Sequence, residues 1–597
     1  MRTPDVAVDI DQEGSAFGQG PARSPGPGSP AEAAARGTAA SASAHAPHHR
    51  ARHPAPAPPG SADGGTPRPE GRGFAADSLV NKDVDAEATV LPSTPPGRGK
   101  RAGGLLRLGP TVRERLLLRG LPGAKIPESL LCIAVGLLLY FAVPRPAALT
   151  QQAWALSSIF VATVLGLILE PLPIAPVALA GLVVCLWTNT LTYPQAFAAL
   201  GNDTIWLILG AFFFAKGVES TGLGARIADL AILALGHSSL GLAYALALAE
   251  LALALCMPST TARAAGVFVP VITSLAKSFD SHPHSPTSRR LGQFLFLSQA
   301  QVSSATSAAF YLGGAQTPVA LTLAAAQGVQ IANPFDTYFK GAVLPALLLV
   351  VTIPAVVYWI APPEVKATPW ARDEARRRLA ARGRPGWREG VVGATLLGAV
   401  ALWCASSRFP FPLANASVAL LGVVVLLATG AVGWDELSSH RPAWDLLVWL
   451  SVLFSMCGAL TQFGVIKWLS DAVSRPLLQT GISRTGLFWL LNLLYCALHY
   501  GIASQTAHVT ALFPPFLGVM LEAGIDGRLA ALSLAYVTNL IGGLTHYASA
   551  QAAAYYAAGY YSIPQNWGLG FVIGFPSIAV FLGVGMGWWR AVGLGSP

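Results

Sequence analysis

The chain has 597 residues, of which 53% are hydrophobic and 12% charged, with a formal net charge of +9. Soluble domains carry roughly 25% charged residues, so the composition excludes a soluble enzyme or binding module and describes an all-α polytopic membrane protein. The positive balance does not imply nucleic acid, because the bases gather in the N-terminal tail and one interior segment, as the bias toward basic loops on one side of a membrane predicts.

Residues 1–124 are rich in Pro, Gly, Ala and Ser without periodicity and read as a disordered basic tail. Between Ser15 and Ala62 the only acid is Glu32, which resembles an organellar transit peptide. The opening departs from that pattern by carrying Asp5, Asp9, Asp11 and Glu13. Apolar blocks follow at 128–143, 153–170, 174–187 and 203–216 and read as spans. The stretch 218–235 has polar residues at helical spacing and reads as an interfacial helix. A further apolar block, 239–255, leads into 256-CMPSTTARAAGVFVP-270. A small-residue polar span at 292–314 and a closing helix at 341–361 complete a first membrane repeat, 125–361.

The segment 362–390 is a strongly charged linker. The second repeat, 391–597, restates the order: spans at 391–407, 415–433 and 445–460, a helix at 487–504 running into 501-GIASQTAHVTALFPP-515, a polar span at 529–556 and a closing helix at 569–589. The basic stretch before the first span and the charged linker belong on one side, so an even number of spans separates them. Six spans plus one re-entrant hairpin, then about five spans plus a second hairpin, satisfy this. The reading is an inverted repeat of about 11 transmembrane helices with two re-entrant hairpins.

Each patch holds a Ser, a polar residue, a Thr, an Ala and then a base. Pro258, Pro270, Pro514 and Pro515 predict broken helices, which membranes tolerate only inside protein or beside a wet cavity. Interrupted segments in corresponding parts of two halves are the best sequence pointer to a transporter site. The hydroxyls of Ser259, Thr260, Thr261, Ser504 and Thr506 and the amide of Gln505 can hydrogen-bond carboxylate oxygens. Arg263 and His508 add positive charge from both sides, which suits a ligand with two carboxylates. Asp203, Glu219 and Glu250 are the acidic candidates for cation or proton handling. The six cysteines are scattered singly, and neither a cofactor nor a metal site is expected.

At 201-GNDTIWLILGAFFFAKGVESTGLGARIA-228, 257-MPSTTARAAGVFVPVI-272, 503-ASQTAHVTALF-513 and 536-YVTNLIGGLTHYASAQAAAYYAAGYY-561 the chain resembles the divalent-anion/sodium symporter family, and within it the plastid 2-oxoglutarate/malate translocators. The resemblance implies a scaffold domain, a transport domain holding both hairpins, a homodimer and elevator-type alternating access. It also implies substrate roles for Thr538, Asn539 and Thr545, with Ser303, Ser304, Thr306 and Ser307 in the comparable first-half span. Sodium-coupled members carry Ser-Asn-Thr at both tips. Here the tips read Ser259-Thr260-Thr261 and Ser504-Gln505-Thr506. The expectation is therefore a sodium-independent antiporter of small dicarboxylates in the chloroplast inner envelope, with membrane lipid as its surroundings. The alternative is sodium- or proton-coupled uptake of dicarboxylate or sulfate.

Overall fold

A computed structural model describes residues 123–406, 409–410 and 413–595. The predicted tail and transit peptide lie outside the described residues, apart from residues 123 and 124. Among the described residues no strand forms, and one isolated bridge joins Ser238 to Ala367.

The helices are α1 (Ile126–Ala142), α2 (Gln151–Leu169), α3 (Ile174–Trp187), α4 (Tyr193–Phe197), α5 (Asp203–Thr221), α6 (Leu223–Leu235), α7 (Ser239–Ala254), α8 (Thr260–Arg263), α9 (Val269–Ser278), α10 (Gly292–Ala309), α11 (Gln316–Ala326) and α12 (Pro334–Ile360). After the linker helix α13 (Pro369–Arg382) come α14 (Trp387–Ala405), α15 (Asn415–Ala428), α16 (Trp434–Ser438), α17 (Arg441–Gln462), α18 (Val465–Gln479), α19 (Arg484–Leu498), α20 (Gln505–Glu522), α21 (Gly527–Leu540), α22 (Ala550–Ala557) and α23 (Ile563–Ala591). Among the described residues α2, α12, α14, α17 and α23 are long and apolar enough to cross a membrane, and α1, α3, α7 and α15 are shorter apolar helices. The chain from Tyr193 to Gly201 meets α5 at a bend of 51°. Helix α1 turns large apolar side chains outward, with Leu138 61% and Phe141 76% exposed. Such a face is unfavourable in water and ordinary against acyl chains.

The same local chemistry recurs in both halves. Gly222 ends α5 and Gly464 follows α17, each with φ 76° and ψ 9°, a left-handed turn that costs glycine little. Ser238 caps α7 by accepting from Gly241 N, and Ser483 caps α19 by accepting from Gly486 N, both at 3.1 Å. The pairings follow the same exchange: α5 packs on α15 while α17 packs on α3, α7 on α10 while α19 packs on α21, and α11 on α20 while α22 packs on α8. Helices α10 with α21, and α12 with α23, pair directly across the halves.

Two expectations about broken helices resolve differently. At Pro270 the chain passes through a π turn, Ala264–Phe268, because proline lacks the N–H and its ring crowds the carbonyl four residues back. In the second half Pro514 and Pro515 do not break the helix, and α20 runs through both. Thr510 O, which Pro514 leaves without its helical donor, accepts from Cys457 Sγ at 3.8 Å. The two polar spans are interrupted instead. Helix α10 stops before Gly313-Gly314, and α21 stops before Gly542-Gly543.

The charged linker is an ordered element packed on α6. Buried Asp229 of α6 accepts from Arg378 Nε at 2.8 Å and from Arg382 Nη1. Arg372 donates to Leu233 O and Ala234 O in the last turn of α6, where carbonyls lack helical partners. Arg226 grips Glu389 with Nε at 2.6 Å and Nη2 at 3.1 Å. Charge-assisted bonds contribute about 1.5–3 kcal/mol each. Asp229→Ala is therefore expected to loosen α13 and speed tryptic cleavage after Arg378 and Arg382, read by timed proteolysis of the purified protein. An unchanged cleavage rate would contradict this.

Candidate functional site

Each hairpin is a helix, a break and a second helix whose first turn forms the tip. Ser259 Oγ accepts from Ala262 N at 3.2 Å, and Ser504 Oγ accepts from Ala507 N at 3.4 Å. Each thereby occupies one orphan donor of its helix start. Ser259, Thr260, Ser504 and Thr506 are partly accessible, Thr261 is exposed, and Gln505, Arg263 and His508 are buried behind them.

Arg263 does not stand free beside a cavity. Its Nε lies 3.1 Å from Glu250 Oε1 of α7, and its Nη2 donates to Ser307 Oγ at 2.8 Å and Gly313 O at 2.9 Å. Its Nη1 donates to Met257 O. Glu250 also accepts from Ser303 Oγ at 2.9 Å, Gln299 Nε2 at 2.6 Å and Tyr555 OH at 3.4 Å. Both members of the pair are fully buried. A buried ion pair is tolerable only when its remaining donors and acceptors are met in this way. Glu250, read from sequence as a candidate for cation or proton handling, is the acid that pairs with Arg263. Glu219 is exposed beside Lys216, and Asp203 is exposed at the start of α5.

A shift of 245 positions carries Ser259, Arg263 and Glu250 onto Ser504, His508 and Tyr495. The geometry follows the numbering. His508 packs edge-on against Tyr495, ring centroids 4.3 Å apart. In the first half Ser303 bonds Glu250, and 235 positions later Thr538 Oγ1 lies 2.9 Å from Tyr495 OH. Gly313 O accepts from Arg263, and its counterpart Ala548 O accepts from His499 Nε2 at 2.9 Å. Each base is folded behind its own tip, against the residue 13 positions earlier (263 − 250 = 508 − 495 = 13).

A polar layer joins the halves. Gln505 Nε2 donates to Thr538 O at 2.7 Å and Asn539 O at 3.0 Å, and Gln505 Oε1 accepts from Gln551 Nε2 at 3.4 Å. Asn539 donates to Thr317 Oγ1 at 2.8 Å and accepts from Gln316 Nε2 at 2.7 Å. Gln301 Nε2 donates to Gly543 O at 2.9 Å. The interrupting glycines allow this closeness: a Cβ on Gly542 would sit 2.6 Å from Gln505 Nε2, and one on Gly314 2.5 Å from Gln316 Nε2. Ser304 Oγ, Thr545 Oγ1 and Gln551 Oε1 are buried without a hydrogen-bond partner, an arrangement that costs about 1–3 kcal/mol for each group. Such a layer is suited to a ligand rich in acceptor and donor oxygens.

Sequence reasoning missed Glu250 as the partner of Arg263, and it missed His499, Tyr495, Gln299, Gln301, Gln316 and Gln551. The only signal for Gln299, Gln301 and Gln551 was their placement in small-residue spans, and Gln316, two positions beyond the first of these, had none.

Residues 124–594 match the family described as the sodium:sulfate symporter transmembrane region. The chain is 43% identical over 472 residues to dicarboxylate transporter 2, chloroplastic, of Spinacia oleracea, covering 79% of this chain and 83% of that protein. It is 44% identical over 472 residues to dicarboxylate transporter 2.1, chloroplastic, of Arabidopsis thaliana, covering 79% and 84%. It is 40% identical over 472 residues to dicarboxylate transporter 1, chloroplastic, of the same plant, again covering 79% and 84%.

Proposed function

The chain belongs to the sodium:sulfate symporter transmembrane family, and from that premise we propose that it is a sodium-independent antiporter exchanging 2-oxoglutarate for malate or related C4 and C5 dicarboxylates. It is a multi-pass membrane transporter and not an enzyme. The chloroplastic relatives, each named as a dicarboxylate transporter, support the substrate class and a plastid location, and the inner envelope is part of the proposal.

The observation that carries sodium independence is the position of the Arg263 guanidinium. Met257 O, Gly313 O, Ser307 Oγ and Glu250 converge on it. Oxygens of that kind suit a hard cation, and a tethered side chain occupies the place. In the second half the corresponding loop carbonyl, Ala548 O, is taken by His499.

The substrate carboxylates dock on Ser259, Thr260 and Thr261 at one tip and Ser504, Gln505 and Thr506 at the other. Thr538, Asn539 and Thr545 complete the wall, and Arg263 and His508 lie behind the tips. Obligatory exchange follows from the unmet polar atoms. Closing the empty site over Ser304, Thr545 and Gln551 buries groups that a dicarboxylate would satisfy. The loaded site crosses more easily than the empty one. Residues 125–361 and 391–597 act as an inverted repeat of about eleven spans, with the hairpins on a moving transport domain in a homodimer. The two-fold exchange of helix pairings supports that reading.

Counterflow in proteoliposomes tests the proposal. Labelled malate uptake is expected to require internal dicarboxylate and to be the same with sodium or choline outside. Arg263→Ala and His508→Ala are expected to lose roughly tenfold or more of the rate, as for 1.4 kcal/mol or more of lost binding. Efficient uptake into vesicles without internal dicarboxylate, or strict sodium dependence, would overturn it.

A further inference from the structure

The two halves treat charge differently behind their tips. The first half holds a permanent cation, Arg263, whose charge Glu250 cancels. The second half puts the neutral phenol of Tyr495 at the position of Glu250 and replaces the guanidinium by two imidazoles. His499 and His508 are 1% and 0% exposed, with ring centroids 4.9 Å apart at 86°. Neither nitrogen of His508 has a partner, and His499 Nδ1 has none, while His499 Nε2 is committed to Ala548 O. Three imidazole nitrogens are thus available in a place closed to bulk water.

Among the described residues no carboxylate pairs with either ring, and helix α2, which packs on α20, carries no ionisable residue. Helix α19 brings Tyr495, bonded to Thr538, and Cys496. Helix α17 brings Cys457, bonded to Thr510 O. Helix α21 carries Tyr536, bonded to Tyr338 O, and Arg528 in its first turn, ten positions before Thr538 (538 − 528 = 10). In the loop after α21, His546 accepts from Trp567 Nε1. Helix α11 carries no ionisable residue. Lys467 and Asp471 of α18 pair with each other, and Lys467 also pairs with Glu522 in the last turn of α20. Burial without a counter-ion favours neutral imidazole, and a carboxylate arriving at the adjacent tip favours imidazolium.

We propose that the His499–His508 pair is a proton-binding site that is neutral when the transporter is empty and takes up one proton from solvent when a dicarboxylate docks at the Ser504–Thr506 tip. The inference rests on the antiport reading above and adds a ligand to it. The proton crosses with each dianion in both directions, so exchange of like for like moves no net proton. This separates the device from proton-coupled uptake. The sign follows from linkage: bound dianion raises the proton affinity of the pair, so proton binding strengthens dianion binding, and affinity falls as pH rises.

Calorimetric titration of malate into the purified full chain tests this, at one pH, in buffers of different ionisation enthalpy, over a range where malate is fully dianionic. The observed heat is expected to vary with buffer enthalpy with a slope of about one proton taken up per malate, and Kd is expected to rise by up to about tenfold per pH unit. In His499→Gln/His508→Gln the slope is expected to vanish. That variant is to be checked for a wild-type gel-filtration profile; if it does not fold, the wild-type slope alone decides. Intact binding with zero slope in the wild type, or an undiminished slope in a folded double variant, would overturn the proton site and leave the transport reading standing. If no C4 or C5 dicarboxylate binds at all, the transport reading falls and takes the proton site with it.

Discussion

Glu250→Ala is expected to abolish exchange and to lower the thermal unfolding midpoint more than any other single substitution behind the tips. The change leaves the Arg263 guanidinium fully buried without its counter-ion. It also removes the acceptor used by Gln299, Ser303 and Tyr555. Removing one member of a buried pair costs about 3–5 kcal/mol, whereas replacing both by apolar side chains is often neutral. The paired change Glu250→Leu with Arg263→Met is therefore expected to recover most of the midpoint while transport stays absent. Scanning fluorimetry in detergent and counterflow in vesicles read the two effects separately. Wild-type exchange by Glu250→Ala would remove the ion pair from the mechanism. A paired variant no more stable than Glu250→Ala would assign the loss to something other than unbalanced charge.

Gly570→Ala should be nearly as damaging, although residue 570 lies in the closing helix α23 and touches neither tip. A Cβ there would sit 2.2 Å from Leu544 O, 2.7 Å from Leu544 C and 2.9 Å from Gly543 O. All three atoms are backbone, so no side chain can swing away. The loop 541–549 has to move, and it carries Thr545, the Gly543 carbonyl held by Gln301 and the Ala548 carbonyl held by His499. Overpacking of this kind costs about 1–3 kcal/mol, and a displacement near 1 Å at a positioning site can cost about 10²-fold in rate. The expected result is a folded protein with a modestly lowered midpoint and a malate exchange rate reduced roughly 100-fold. Gly568→Ala, whose Cβ meets nothing within 4 Å, is the matched control and is expected to exchange normally. Equal activities of the two variants would show that this loop does not need its present place.

Much of the site was legible because its chemistry is local. Ser259 and Ser504 were open to reading as tip hydroxyls, and the structure adds that each also caps the helix it starts. Repeated order in the two halves was likewise open to reading, since each half spells out the same succession of apolar blocks, tip and small-residue span. The partners of the two bases were not. At 3.6 residues per turn, positions 13 apart on an unbroken helix lie on nearly opposite faces, so no periodicity pairs Glu250 with Arg263 or Tyr495 with His508. Only the fold-back at each hairpin brings them together. The effect of proline was misjudged in the second half for a similar reason. Whether Pro514 breaks a helix depends on whether another element supplies a donor to Thr510 O, and that donor, Cys457, is 53 residues away.

The sequence by itself determined that this chain lives in a membrane, that its two halves carry matching Ser/Thr tips, and that both tips lack the asparagine of sodium-coupled relatives. Membrane residence and the matching tips follow from composition and short-range chemistry, which act within one helical turn; the missing asparagines are an expectation that rests on the family resemblance alone. The tertiary structure alone decided how charge is balanced: Arg263 is cancelled by Glu250, while His508 is left with Tyr495 and a second histidine. The reason is that the cost of a buried charge depends on what surrounds it in three dimensions, and those surroundings come from segments far apart along the chain.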